Sequence, residues 1–217
     1  MPNGSLIKIV LIAAVVAAVS YIASWNMALD PTISIAWKGA GVGLLALYAA
    51  LQARSLDGWL ITAVMAFGAL GDVLLDAISM EAGAGAFVIG HILAFWLYVR
   101  NWRPQTTGSQ RLLAALTAPL TIVIALALVR DPMIGIYAAF VGIMAATAWI
   151  SRFPRFRTGI GAMMFLASDL LIFARMDALA SAAWVGLAIW ILYFGGQLLI
   201  VLGVTATLST APIGKSA

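Results

Sequence analysis

Two aspartates, Asp72 and Asp76, lie four residues apart in the stretch FGALGDVLLD (67–76), which is otherwise apolar. A third, Asp169, sits inside the equally apolar FLASDLLI (165–172). The single histidine, His91, and one lysine, Lys38, also fall within apolar runs. Carboxyl groups held away from water serve in general acid–base catalysis or in proton relays. With no cysteine in the chain, thiolate catalysis, disulfides and cysteine-based metal sites are excluded. One histidine excludes a His-rich zinc site within one chain. The chemistry expected is that of the side chains themselves, with no cofactor and no resident metal.

The elements that must position these groups follow from composition. The 217 residues are 64% hydrophobic and 9% charged, with a mean hydropathy of +1.08. Soluble domains carry about a quarter charged residues, so this chain is expected to be an all-α, polytopic membrane bundle. A spanning helix needs about 20 mostly apolar residues. On that length eight spans are expected, at about 6–25, 33–52, 58–79, 84–99, 111–129, 133–151, 158–175 and 181–204. The breaks carry turn or charge signals: Asp30-Pro31, Arg54 to Gly58, Gly83, Arg103-Pro104, Arg130 to Pro132, Pro154, and Arg175 to Asp177. The loops are short, so residues 1–217 are read as one integral membrane domain. The first span resembles a signal peptide in its lysine and small residues, but its apolar run is long enough to be a retained helix.

An even number of spans places both termini on one side. That side holds Lys8, Arg54, Arg100, Arg103, Arg111, Arg152, Arg155, Arg157 and Lys215, nine of the 12 basic residues. The other side holds Lys38, Arg130 and Arg175. Because basic residues favour the cytoplasmic side, both termini are expected there. The same placement explains the net charge of +4 without a nucleic-acid partner.

Helical rise then gives each polar group a depth. Asp72 falls about 21 Å along the outward-running third span, and Asp169 about 17 Å along the seventh. His91 falls about 10 Å below the outer surface, and Lys38 about 8 Å below it. Four spans thus bring an ionisable group to nearly one outer level, with Tyr193 and Gln197 deeper on the eighth. Asp76, one turn further out than Asp72, could be solvated at the interface or stand at an entrance. Lys38 could snorkel to the surface or pair with Asp72 or Asp169, and His91 could be a packing residue. The echo between FGALGDVLL and FLASDLLI suggests a four-plus-four repeat. The glycines of GAGVG (39–43) and Gly195-Gly196 are read as points of close helix approach.

In four motifs the sequence resembles the YhhN-like integral membrane family, whose characterised animal members are lysoplasmalogenases. These are Gly71-Asp72-Val73-Leu74-Leu75, then Phe87 through Gly90-His91, then Gly161 through Phe165 to Ser168-Asp169, and finally Tyr193-Phe194-Gly195-Gly196-Gln197. The family tends to open its second helix with Lys-Pro; here Lys38 is followed by Gly39. Asp76 lies outside the family pattern.

The resemblance implies hydrolysis of the vinyl-ether bond of a lysophospholipid to a fatty aldehyde and a glycerophospho-alcohol. It also implies a multi-pass location in a bacterial plasma (inner) membrane, among membrane lipid. Vinyl ethers are acid-labile, so the reaction needs a proton donor and a base or anionic stabiliser, as carboxylate pairs provide in glycosidases. On this reading Asp72 and Asp169 are the catalytic pair and His91 orients or shares the proton. Lys38, Tyr193, Gln197 and Ser168 contact substrate or water, and Asp76 guards the entrance. Three alternatives stay open: a proton-coupled transporter of a small molecule or lipid, a metal-dependent lipid enzyme using Asp72, Asp76, His91 and Asp169 as ligands, and a non-catalytic assembly protein. Oligomeric state is not legible in the sequence.

Overall fold

A computed structural model describes residues 4–210. Lys215, counted above with the cytoplasmic charges, lies outside the described residues. Eight long helices follow one another: α1 (Gly4–Ser24), α2 (Pro31–Gln52), α3 (Leu56–Ala77), α4 (Met80–Arg100), α5 (Gly108–Leu128), α6 (Pro132–Ile150), α7 (Ile160–Arg175) and α8 (Val185–Thr210). All eight are long and apolar enough to cross a membrane, α7 together with the π-helical turn Arg155–Gly159 that leads into it. The chain is therefore a multi-pass membrane protein of the all-α class, and no strand occurs among the described residues.

The boundaries are written in local chemistry. Asp30 and Asp131 each cap a helix whose first residue is proline, accepting from the amides of Thr32 and Met133 at 2.8 Å. These carboxylates satisfy amides that the first turn leaves without a partner. Ser55 and Ser79 cap α3 and α4 in the same way, and Thr107 with Gln110 closes a capping box on α5.

One expected break is corrected. Gly83 lies inside α4, and the turn sits earlier, at Ile78-Ser79. The glycine serves packing instead: a Cβ at position 83 would collide with the Leu75 side chain and backbone of α3. A second difference lies near the end, where residues 176–184 form turns and α8 runs from Val185 to Thr210 rather than over 181–204.

The glycines singled out in the sequence do bring helices together. A Cβ at Gly39 would fall 2.7 Å from Val73, and one at Gly41 3.2 Å from Ala18. The tightest backbone-to-backbone approach joins α7 and α8, where a Cβ on Gly161 would meet the Gly196 carbonyl at 2.6 Å and one on Gly196 the Gly161 carbonyl at 2.6 Å. This backbone-to-backbone contact lets the helix carrying Asp169 lie flush on the helix carrying Tyr193.

The two ends of the bundle differ. At the end where α3 begins and α4 finishes, Asp57 receives Arg100 Nε at 3.1 Å and Asn101 Nδ2 at 2.9 Å. Asn101 also takes the Arg152 amide on its carbonyl at 2.7 Å and the Arg152 guanidinium on its side-chain oxygen. Arg103 donates to the Phe153 carbonyl at 3.0 Å, and Trp102 pairs with Ser151 in an isolated β-bridge. Burial and the neighbouring Arg155 lower the Arg103 pKa. Thus the α4–α5 and α6–α7 connections are laced together. At the opposite end, α1, α2, α3, α7 and α8 surround an open cavity of about 510 Å³.

Candidate active site

Asp72 and Asp169 are both buried, 2% and 4% exposed. Neither is left alone. Tyr193 of α8 donates its hydroxyl to Asp72 Oδ2 at 2.8 Å, and Tyr137 of α6 donates to Asp169 Oδ2 at 2.9 Å. A hydrogen bond to a charged acceptor is stronger than one between neutral groups, and it orients the carboxyl group. In each case one oxygen is held while Oδ1 accepts no hydrogen bond among the described residues.

Local sequence explains how these groups are seated. Gly71 precedes Asp72, and a Cβ there would lie 2.7 Å from the Phe87 ring. The small residue lets Phe87 close over the α3 backbone beside the carboxylate. At Gly68, one turn earlier, a Cβ would lie 2.9 Å from Gln197 Nε2 and 3.7 Å from the Tyr193 hydroxyl. Glycine on one helix thus makes room for the polar groups of another. Phe165 fills the space among these residues, with ring centroids 5.2 Å from His91, 5.4 Å from Tyr193 and 5.9 Å from Phe87. Edge-to-face contacts of this kind hold rings in fixed orientations.

His91 is 5% exposed and reaches the Tyr137 hydroxyl through Nε2 at a longer 3.4 Å. Because Tyr137 spends its proton on Asp169, the consistent arrangement has His91 Nε2–H donating to the Tyr137 oxygen. His91, Tyr137 and Asp169 form a chain across α4, α6 and α7. Tyr137 was not among the residues singled out in the sequence. Its signal was weak: one of five tyrosines, two turns into an apolar helix at the depth of His91.

Two cavities lie one helical turn to either side of the Asp72–Tyr193 bond, and neither residue lines them. On the side expected to face inward, Gly68, Phe87, His91, Phe165 and Gln197 help line a small cavity of about 20 Å³. That volume fits about one water molecule. The hydroxyl of Tyr98, also on its wall, is buried with no hydrogen-bond partner among the described residues. On the side expected to face outward, Asp76 and Trp190 line the larger cavity, one turn from Asp72 and Tyr193 respectively. Along α3 the order is Gly68, Asp72, Asp76, and along α8 it is Gln197, Tyr193, Trp190. The carboxylate–phenol bond stands between the two spaces.

The remaining expected residues distribute as follows. Lys38 pairs with Asp76, its Nζ 2.9 Å from both carboxylate oxygens, and not with Asp72 or Asp169. The reason is position: Asp76 lies one turn nearer the mouth, on the level the lysine side chain reaches. Gln197 is buried and lines the inner cavity. Ser168 is fully buried, its hydroxyl has no hydrogen-bond partner among the described residues, and it lines neither cavity. Among the described residues, no three His, Asp or Glu side chains gather closely enough to hold a metal ion.

Compared with known proteins, residues 33–204 match the model of the YhhN family. No curated protein and no solved structure matches the chain.

Proposed function

The chain belongs to the YhhN family, and we propose that it is a membrane-embedded, lysoplasmalogenase-like hydrolase of the bacterial plasma membrane. It would cleave the vinyl-ether bond of a lysophospholipid. The observation that carries this reading is the Asp72–Tyr193 pair, a buried carboxyl group between a cavity open to the outside and one that fits a single water.

The reaction balances with these parts. A carboxylic acid delivers its proton to the β-carbon of the vinyl ether, and the π electrons form the new C–H bond. The ether oxygen stabilises the cation so formed as an oxocarbenium ion. Water adds to the oxygen-bearing α-carbon of that cation and loses a proton to a base, giving a hemiacetal. Collapse of the hemiacetal breaks the carbon–oxygen bond, releasing a fatty aldehyde and a glycerophospho-alcohol. Asp72 and Asp169 are the acid and the anionic partner in this scheme. Tyr193 and Tyr137 hold one oxygen of each, leaving Oδ1 for chemistry. His91, tied to Asp169 through Tyr137, faces the water-sized cavity together with Gln197 and orients the attacking water.

The test is aldehyde release from a lysoplasmalogen by the purified protein in detergent, compared with Asp72→Asn and Asp169→Asn. Both variants should insert and purify normally and lose turnover. Full activity in either removes the pair from the mechanism.

A second reading has its own observation. Cavities on both sides of a buried carboxylate also suit a proton-coupled transporter of a small molecule or lipid. Such a protein must open alternately at each end, and the hydrogen bonds joining Asp57, Arg100, Asn101 and Arg152 tie one end shut. Substrate uptake into proteoliposomes without aldehyde release would favour the transporter.

A further inference from the structure

The outer cavity has no role in the bond-breaking steps above. It is lined by Lys38, Asp76, Arg175, Trp25, Tyr21 and Trp190, together with the turn from Ala180 to Ala183 and the first turns of α8. At about 510 Å³ it falls within the range of ligand sites, about 300–1,000 Å³. Its charges do not cancel. Lys38 is matched by Asp76, whose two oxygens both lie 2.9 Å from Nζ. Arg175, at the C-terminal end of α7, has neither an ion pair nor a hydrogen bond among the described residues. Two cations and one carboxylate leave the lining with one uncompensated positive charge.

The surroundings keep that guanidinium available. Gly186 of α8 stands beside it, where an added Cβ would meet Arg175 Nη1 at 3.5 Å, an ordinary contact. The facing wall is aromatic: the Tyr21 and Trp190 rings lie 4.7 Å apart, and Trp25 meets Tyr21 edge-on at 5.9 Å. The Trp190 indole is fixed by donating to the Ala18 carbonyl at 2.8 Å. A planar, permanently charged donor opposite immobile rings suits a phosphate bearing a small organic head. An ammonium on that head would find aromatic faces beside the exposed Asp76.

We propose that this outer cavity is the site for the phosphodiester headgroup of a single-chain lipid, with Arg175 as the residue that binds the phosphate. The assignment rests on the hydrolase reading for the orientation it gives: headgroup in the outer cavity, vinyl ether at Asp72, water beyond. It places the phosphate on neither Lys38 nor Tyr193. Lys38 is held by Asp76, and Tyr193 is committed to Asp72.

Binding separates this site from the chemistry. A 1-O-alkyl lysophospholipid has no vinyl bond and cannot be cleaved, so its affinity for the purified protein can be read by tryptophan fluorescence or calorimetry. The wild type should bind it at least tenfold more tightly than the 1-O-alkylglycerol of the same chain length, which lacks phosphate. Arg175→Gln should abolish that preference while leaving alkylglycerol affinity and thermal stability unchanged, and Arg175→Lys should retain part of it. Inorganic phosphate at millimolar concentration should not displace the lysolipid. An undiminished preference in Arg175→Gln, or displacement by free phosphate that depends on Arg175, overturns the proposal. If the preference is Arg175-dependent but no aldehyde is ever released, the headgroup site stands and the hydrolase reading falls. If aldehyde is released with the same KM in Arg175→Gln as in wild type, the reaction stands and the headgroup site falls.

Discussion

The two ends of the bundle invite comparison because both carry a bridge between a basic and an acidic side chain, used differently. At one end, Arg100–Asp57 is part of a network through Asn101 to Arg152, which fastens the α4–α5 connection to the α6–α7 connection. At the other, Lys38–Asp76 stands at the rim of a wide cavity, and Arg175 on the same wall has no partner among the described residues. The network engages Asp57, Arg100 and Arg152 with one another through Asn101. At the other end the Arg175 guanidinium lies on a cavity wall without a partner among the described residues, and can recruit an anion there. The lesson is that the wide cavity stands at the end where Lys38 and Arg175 are, one helical turn from Asp72.

Substitutions can break or sharpen that contrast. The largest effect is expected from Asp72→Asn and Asp169→Asn, which should each lower the rate of aldehyde release by about 10²–10⁴-fold, the range for loss of a general acid or base. Normal purification and an unchanged melting curve would show that the loss is chemical. Next come the tyrosines. Tyr193→Phe and Tyr137→Phe should each lower turnover by about tenfold, as one hydrogen bond that orients a reacting carboxyl group is lost. Steady-state kinetics on the pair would show whether the two carboxylates are equivalent; a silent Tyr137→Phe would remove the His91 chain from catalysis.

At the fastened end the readout should switch from rate to stability. Asn101→Ala removes the hydrogen bonds of a buried side chain to two charged partners, Asp57 and Arg152, and should destabilise the fold by about 1–3 kcal/mol, read as a lowered melting temperature. Turnover per folded molecule should stay within about twofold, and a larger fall would mean that the network reaches the site. The smallest effect belongs to Lys38→Gln. Its bridge to a 42%-exposed partner contributes about 1 kcal/mol or less, so stability should barely move. A collapse in stability on this change would overturn the view of Lys38–Asp76 as a rim pair.

Much of this arrangement was legible in the sequence. Eight spans follow from hydropathy and from punctuation such as Asp30-Pro31 and Asp131-Pro132, because a bilayer fixes helix length and a carboxylate before proline starts a helix well. The burial of Asp72 and Asp169 follows from their apolar neighbours, and helical rise placed His91 near their level. The partners were not legible. Helix α6 is apolar around its whole circumference, so no polar stripe declares which face looks inward, and Tyr137 could not be directed at Asp169. Lys38 has three carboxylates within a few turns, and only the lateral position of α2 against α3 selects Asp76. Arg175 reads as an ordinary cation at the end of a span, because the cavity beside it is formed by helices far apart in the chain. Gly83 misled for a related reason: glycine marks a break and a close approach equally well.

The Asp72–Tyr193 bond has one further consequence, an electrical one. Aqueous solution reaching into the larger cavity brings the potential of the compartment onto which it opens to within about one helical turn of that bond. The membrane voltage then falls across the tightly packed part of the bundle beneath it, where one elementary charge crossing the full drop of 100 mV would exchange about 2.3 kcal/mol. A proton exchanged between Asp72 and the outer cavity crosses little of that drop. Its transfer should proceed at nearly the same equilibrium in an energised and a de-energised cell, and the packed helices beyond it are what keep the two compartments from short-circuiting.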